Sequence, residues 1–125
     1  MNILITGATG LLGKKMVEVL SEQHKVFAIV KPGSSKFIER KNIYFIEKDL
    51  AKFELNNFPN NIDTVYYLAQ SRKFREFPEE VIDIFEVNVS APLKIIKWAI
   101  DNGVKNFYYT SSGGVYRNPK KPVKE

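Results

Sequence analysis

The chain has 125 residues, 44% of them hydrophobic and 26% charged, and carries a formal net charge of +5. That length suits one domain with its own core, and the composition excludes intrinsic disorder. A cysteine count of zero excludes disulfides and thiolate metal sites and accords with a reducing cytoplasm, while the 19 basic residues are scattered rather than gathered into a stripe that would fit nucleic acid.

The opening "MNILITG" has no basic leader, and its apolar run stops at Gly7, too short for a signal peptide or a membrane span. No later stretch approaches the ~18 apolar residues that a span requires. The expectation is a cytoplasmic protein with neither membrane nor nucleic acid as partner. Ile3 to Thr6, apolar and β-branched, predicts a buried strand, and glycines at 7, 10 and 13 lead into a helical pattern from Leu11 to about Gln23. "KVFAIV" (25–30) predicts a second strand, stopped by Pro32 and Gly33, and "NIYFIE" (42–47) a third. Between them a short helix fits around Ser35 to Arg40. Asp49 to Asn61 is polar and Asn-rich and holds Pro59, so it predicts a loop with at most a turn of helix before "DTVYYLA" (63–69) begins a fourth strand. From Pro78 to Asp101, the residues Val81, Ile82, Phe85, Val89, Leu93, Ile96 and Ile100 step by one, three or four, which predicts a helix with these as its apolar face. Trp98 fits the packing face, and Asn102-Gly103 ends the helix. "VKNFYYT" (104–110) predicts a fifth strand. Strands alternating with helices over residues 1–125 imply a doubly wound parallel α/β sheet, and right-handed crossovers give the strand order 3-2-1-4-5.

"TGATGLLG" falls where the first strand hands over to the first helix. A glycine-rich turn is weak evidence alone, but this context is what a phosphate-binding loop needs. Gly7 permits the tight turn, Gly10 lets the backbone approach a pyrophosphate, and Gly13 lets the helix pack closely on the sheet. Leu11 and Leu12, at the helix start, offer free N–H groups and the positive end of the helix dipole to the phosphates. A structural turn with chance glycines is the alternative.

Thr6-Gly7-x-x-Gly10-x-x-Gly13 resembles the loop of short-chain dehydrogenases/reductases, and of their extended branch of NAD(P)-dependent nucleotide-sugar epimerases and dehydratases. Further matches follow in order. Asp49-Leu50 resembles the pair that contacts adenine in that family. "YLAQ" (67–70), with Leu68 and Ala69, resembles its "HLAA" at the end of the fourth strand, and Arg72 stands where a basic residue often faces the cofactor. "NVSAPLKII" resembles its "NVxGTxxLL" helix, with Asn88 at the asparagine place, and "VKNFYYTSSGGVY" resembles its fifth strand and "SSxxVYG" ending. The resemblance covers essentially the whole chain and implies a Rossmann-like fold. Two departures stand out: no "YGxSK" follows the serines after a further loop and helix, and Arg117 replaces the glycine usual after "VY".

Tyr116 and Lys120 do spell the Tyr-x-x-x-Lys that the family uses for acid/base chemistry. A tyrosine near pKa 10 needs a close cation to act as a base at neutral pH, and two residues four apart share a face only on a helix. Pro119 disfavours helix at Asn118 and Pro122 follows closely, so this spelling reads as accidental. The chain therefore resembles the N-terminal part of a larger enzyme, truncated after the fifth strand, and is expected to bind cofactor weakly if at all and to catalyse nothing alone. Such a fragment would also expose a strand edge and apolar helix faces, inviting a homo-oligomer.

Ser112 matches the family residue that hydrogen-bonds the reacting substrate oxygen, with a strand-end loop serine as the alternative. Asn88 lies mid-helix, and Pro92 lacks the N–H that would bond its carbonyl. In a related branch of the family such a carbonyl anchors a water-mediated proton relay; a plain kink is the alternative. Lys31 follows the second strand, where an acidic residue would take the ribose hydroxyls of NAD. A cation there, with Ser34, Ser35 and Lys36 nearby, favours NADP over NAD, unless Lys31 is a solvated loop residue. "RKFREF" (72–77) puts three cations and two aromatics at the expected cleft mouth, where a nucleotide-sugar phosphate or plain solvent would meet them. His24, the single histidine, reads as a surface residue at a helix end, and no clustered His, Asp or Glu suggests a metal. The implied chemistry is hydride exchange between a sugar carbon and a nicotinamide. A non-catalytic NAD(P) sensor or scaffold, and a basic interaction module, are the rivals.

Overall fold

A computed structural model describes residues 1–34 and 40–112. The expected helix around residues 35–40 and the Tyr116–Lys120 spelling fall outside these, apart from Arg40. Five strands, β1 (Asn2–Thr6), β2 (Lys25–Val30), β3 (Ile43–Glu47), β4 (Thr64–Tyr67) and β5 (Asn106–Tyr109), form one sheet in the order β3-β2-β1-β4-β5. Every pairing is parallel; Ile3 of β1 stands opposite Val26 on one side and Thr64 on the other. The expected sheet order is therefore the observed one.

β1 is apolar at every central position because helices cover both faces of the sheet. Ile3 and Ile5 point into a cluster with Ala8, Val17, Val26 and Ala28, under helix α1 (Leu11–Leu20). Leu4 points the other way, into a larger cluster with Val65, Tyr67, Val87, Ile95 and Trp98. That face is covered by α2 (Val81–Phe85), a π-helical segment (Glu86–Ser90) and α3 (Ala91–Asp101), which run on as one helix. After β3 a single 3₁₀ turn, Leu50–Lys52, opens the long loop to β4, and Asp49 caps it by accepting the Ala51 N–H at 3.0 Å. Phe58 meets Trp98 edge-on at 4.6 Å and Phe53 at 5.6 Å, which seats this loop on α3.

The signal that ends α3 works as its residues demand. Gly103 takes φ +69°, its N–H bonds the Ile100 carbonyl at 3.2 Å, and the Val104 N–H bonds that of Ala99 at 2.9 Å. This is a Schellman closure, in which the left-handed residue is cheapest as glycine.

Three expectations need correction. Helix α1 stops at Leu20, short of Gln23, because the Ser21 hydroxyl bonds back to the Glu18 carbonyl at 2.9 Å and the chain turns there. His24 is half-buried instead of a surface residue, and its Nδ1 is buried without a hydrogen-bond partner among the described residues. The short return from α1 to β2 tucks the ring in. The third concerns the long helix: Val81, Ile82, Phe85, Val89, Leu93 and Ile100 face outward, with Ile82, Leu93 and Ile100 exposed by 72, 60 and 70%. The sheet meets Val87, Ala91, Ile95, Trp98 and Ala99 instead. The helix carries two apolar stripes; the small side chains at 91 and 99 let the inner one approach closely, while the bulkier outer one dominates the sequence pattern.

Candidate cofactor-binding site

Parallel strands aim their C-terminal ends at one edge of the sheet, and a crevice opens there where the chain order reverses, between β1 and β4. In this protein that place holds a cleft of about 470 Å³. Its lining brings together eight of the residues singled out in the sequence: Gly7, Gly10, Lys31, Asp49, Leu50, Leu68, Ala69 and Arg72. Leu11, Leu12 and Gly13 form the adjoining first turn of α1 without lining the cleft.

The loop from β1 to α1 is built by contact as much as by conformation. Gly7 has φ +67°, and a Cβ there would lie 2.8 Å from the Ala69 nitrogen. A Cβ on Gly13 would stand 2.2 Å from the Gly7 carbonyl oxygen, well inside any tolerable contact. Gly10 differs: its backbone is extended (φ −75°, ψ 173°), and the nearest neighbour to a Cβ would be the Gly7 oxygen at 3.2 Å. The fold thus demands glycine at 7 and 13, whereas at 10, a position that lines the cleft, a side chain asks the Gly7 carbonyl to give by a few tenths of an ångström. Thr6, fully buried, joins this loop to β4 by accepting the N–H groups of Leu68 and Ala69 at 3.1 and 3.2 Å on one hydroxyl. The first turn of α1 has no side-chain cap, so the N–H groups of Leu11, Leu12 and Gly13 lack intrahelical acceptors.

Charge around the cleft is uneven. Lys31 Nζ lies 3.6 Å from Asp49 Oδ2. Lys48 turns away to the carbonyls of Glu54 and Asn56. Lys73 Nζ bonds Glu80 Oε2 at 2.6 Å, and this hydrogen bond holds its ammonium above the ordinary lysine range. Arg72 makes no ion pair or hydrogen bond with another described residue, which leaves a guanidinium at the cleft wall for an anion. In the same loop the Arg75 guanidinium sits 5.3 Å from the Phe74 ring centre, while Phe74 and Phe77 are exposed.

Asn88 and Ser112 do not line the cleft. Asn88 borders it, its Oδ1 accepting the Ser71 N–H at 2.9 Å, and Ser71 is a lining residue that in turn donates to Asp83. The Asn88 carbonyl, expected to be open, accepts the Tyr109 hydroxyl at 3.0 Å. Ser112 is exposed, three residues after β5. Lys73, expected at the cleft mouth, does line it, as does Gln70 of "YLAQ"; sequence reasoning missed Thr9, Ser71 and Asp83. Ser71 immediately follows "YLAQ", which was the available signal; nothing local marks Asp83. Among the described residues no group of His, Asp or Glu could hold a metal ion, and no helix is long and apolar enough to cross a membrane.

Comparison with known proteins agrees with this geometry. UDP-glucose 4-epimerase of Klebsiella pneumoniae is 30% identical over 138 residues, covering 100% of this chain and 99% of that protein. The Neisseria meningitidis serogroup A protein of the same name is 29% identical over 132 residues, but there 96% of this chain spans only 39% of the relative. Among solved structures, UDP-N-acetylglucosamine 4-epimerase from Methanobrevibacter ruminantium, in complex with UDP-N-acetylmuramic acid, superposes with a TM-score of 0.85 at 28% identity, over 99% of this chain and 42% of its own. MoeE5, solved with UDP-glucose and NAD, superposes at 0.74 with 25% identity, over 98% and 40%. The profile of the NAD dependent epimerase/dehydratase family matches residues 3–125, and the chain belongs to that family.

Proposed function

We propose that residues 1–125 form the dinucleotide-binding portion of an enzyme that acts on a nucleotide-linked sugar. The observation that carries this is Gly10: it lines the cleft in an extended conformation, and its missing side chain leaves the backbone there open to whatever enters. A pyrophosphate fits, with the uncapped N–H groups of α1 and the Arg72 guanidinium, which has no partner among the described residues, to receive it. The names of the relatives, and the UDP-glucose and NAD held by MoeE5, support a nucleotide-sugar substrate and a nicotinamide cofactor. When bound, that cofactor supplies hydride transfer.

The chain's own residues hold and orient. Leu50 offers apolar surface to the adenine beside Asp49, and Leu68 and Ala69 form the wall against which the rest of the dinucleotide lies. Ser112 hydrogen-bonds the reacting oxygen of the sugar. Lys31 sits where the adenine ribose arrives, and its half-solvated pairing with Asp49 is weak enough for a 2′-phosphate to replace. NADP is therefore the preferred cofactor. Tyr116 and Lys120 are not assigned as an acid/base pair in this reading, and no turnover is expected of these 125 residues in isolation.

Fluorescence titration of the chain with NADPH and NADH tests this reading. Both should bind, though weakly to this portion alone, NADPH more tightly, and Lys31→Ala should weaken NADPH about tenfold while leaving NADH unchanged, the loss expected of one charge-assisted phosphate contact. Equal effects on both nucleotides would refute the NADP preference, and a folded chain that binds neither would refute the site.

We further propose a second copy of this chain as the partner of the outward stripe. Ile82, Phe85, Val89, Leu93, Ile96 and Ile100 are spaced by three or four, the pattern of a self-pairing helix seam. Antiparallel pairing about position 91 sets Ile82 against Ile100 and Val89 against Leu93, and brings Glu86 towards Lys97 of the other copy. Sedimentation velocity should show a dimer that Leu93→Glu converts to monomer without loss of helicity. A wild-type monomer at high concentration would count against the seam.

A further inference from the structure

The π-helical segment strands two main-chain carbonyls, and the way they are satisfied ties β5 to the cleft. Ala91, whose N–H would pair with Val87 in a regular helix, bonds Glu86 instead, and Pro92 has no N–H for Asn88. A buried polar group without a partner is costly, so the Val87 carbonyl needs a donor from elsewhere, while the Asn88 carbonyl lies nearer solvent and gains order from a fixed donor. Two tyrosines supply them. Tyr67 at the end of β4 donates its hydroxyl to the Val87 carbonyl, and Tyr109 at the end of β5 donates to the Asn88 carbonyl at 3.0 Å. The two are register partners, and their rings stack at 5.6 Å and 16°. Burial, with Tyr109 beside it, raises the Tyr67 phenol well above the ordinary tyrosine range, so it remains a neutral donor.

From Asn88 the connection continues through its side chain. Its Oδ1 accepts the N–H of Ser71, and Ser71 belongs to the loop after β4 that also places Gln70, Arg72 and Lys73 on the cleft wall. Tyr109 is half exposed and contributes little to the core, yet its hydroxyl meets the backbone of Asn88, whose side chain steadies this wall together with that of Asp83.

We propose that Tyr109 is a positioning residue of the cleft: by capping the Asn88 carbonyl that Pro92 leaves without a donor, it fixes the Asn88 side chain on Ser71 and holds the loop carrying Arg72 in register with the glycine loop. Its consequence for nucleotide affinity rests on the dinucleotide reading above; the positioning itself does not.

Amide hydrogen exchange on the full chain, without nucleotide, reads the Ser71 N–H directly. Tyr109→Phe should reduce its protection about tenfold, the effect of losing one hydrogen bond of ordinary strength, while the amides of Leu4 and Ile5 in the central strand keep theirs. Pro92→Ala provides the second arm, because it gives the Asn88 carbonyl a helical donor. In that background Tyr109→Phe should change Ser71 protection less than twofold. Unchanged Ser71 exchange in Tyr109→Phe, a loss shared by the whole sheet, or an undiminished effect beside Pro92→Ala would each overturn the proposal. Nucleotide titration of the same variants is scored separately. With binding intact in the wild type, Tyr109→Phe should raise the Kd for NAD(P)H several-fold. Failure of the wild type to bind would sink the dinucleotide reading and leave Ser71 exchange to decide on Tyr109.

Discussion

Gly13→Ala is expected to cost at least about 3 kcal/mol of folding stability, visible as a melting temperature lower by roughly 10 °C, whereas Gly10→Ala should cost about 1 kcal/mol or less. The difference follows from what each new Cβ would meet. At position 13 it would stand 2.2 Å from the Gly7 carbonyl oxygen and 2.8 Å from the Ala8 Cα, both backbone atoms that cannot turn aside. Helix α1 would have to lift from β1, opening the packing of Val17 on Ile3 and Ile5. At position 10 the nearest atom is 3.2 Å away and the backbone is one that alanine readily adopts, so a shift of a few tenths of an ångström suffices. For nucleotide binding the order of interest reverses. Gly10→Ala should leave a folded chain whose affinity for NAD(P)H falls at least about tenfold, since its methyl group occupies the space where a pyrophosphate must approach the backbone. Thermal melts beside fluorescence titrations of both variants separate these outcomes. A Gly10→Ala protein that binds nucleotide as the wild type does would remove the main support for the proposed site.

Thr6→Val should destabilise the protein by about 2–4 kcal/mol, and Thr6→Ser by about 1 kcal/mol or less. Valine matches threonine in shape, so no cavity opens, but the hydroxyl that accepts from both Leu68 and Ala69 disappears. Thr6 is fully buried, so water cannot replace it for either N–H group without a local opening of β1 from β4. Serine keeps the acceptor and loses one methyl group of packing. Urea unfolding of the two variants makes the comparison. Equal losses in valine and serine would mean that the methyl group, and not the hydrogen bonds, is what matters at this position. Because the Leu68–Ala69 backbone is also the surface against which Gly7 packs, loss of the Thr6 acceptor should loosen the glycine loop and weaken nucleotide binding as well.

Much of this architecture was legible in the residues. Strand β2 ran as expected over Lys25–Val30, the other strands within a residue or two, and the ends of α3 at Asn102-Gly103 followed from glycine's freedom at positive φ. The strand order followed from handedness, since each crossover between parallel strands has one preferred direction. The glycine spacing located the cleft because a tight turn, a close helix and an accessible backbone are each local demands that a single residue type meets. All of these depend on neighbours a few positions apart.

The tertiary structure decided what depends on partners far away in the chain. Residues 81–101 hold two apolar stripes, and periodicity marks both without saying which one meets the sheet; close approach through Ala91 and Ala99 selected the inner stripe. Pro92 foretold a carbonyl without its helical donor at Asn88, but only the fold could bring the Tyr109 hydroxyl to it from 21 positions away. Thr6 was legible as part of a motif, yet its double acceptance from β4, across more than sixty positions, exists only once β1 and β4 are paired. Asp83 carried no local mark at all, because a carboxylate becomes part of a cleft wall through the packing of a loop on a helix. Sequence determined the elements, their order and the glycine turn between β1 and α1, through short-range sterics and periodicity; the choice of helix face and the partners of the stranded carbonyls were set by long-range packing.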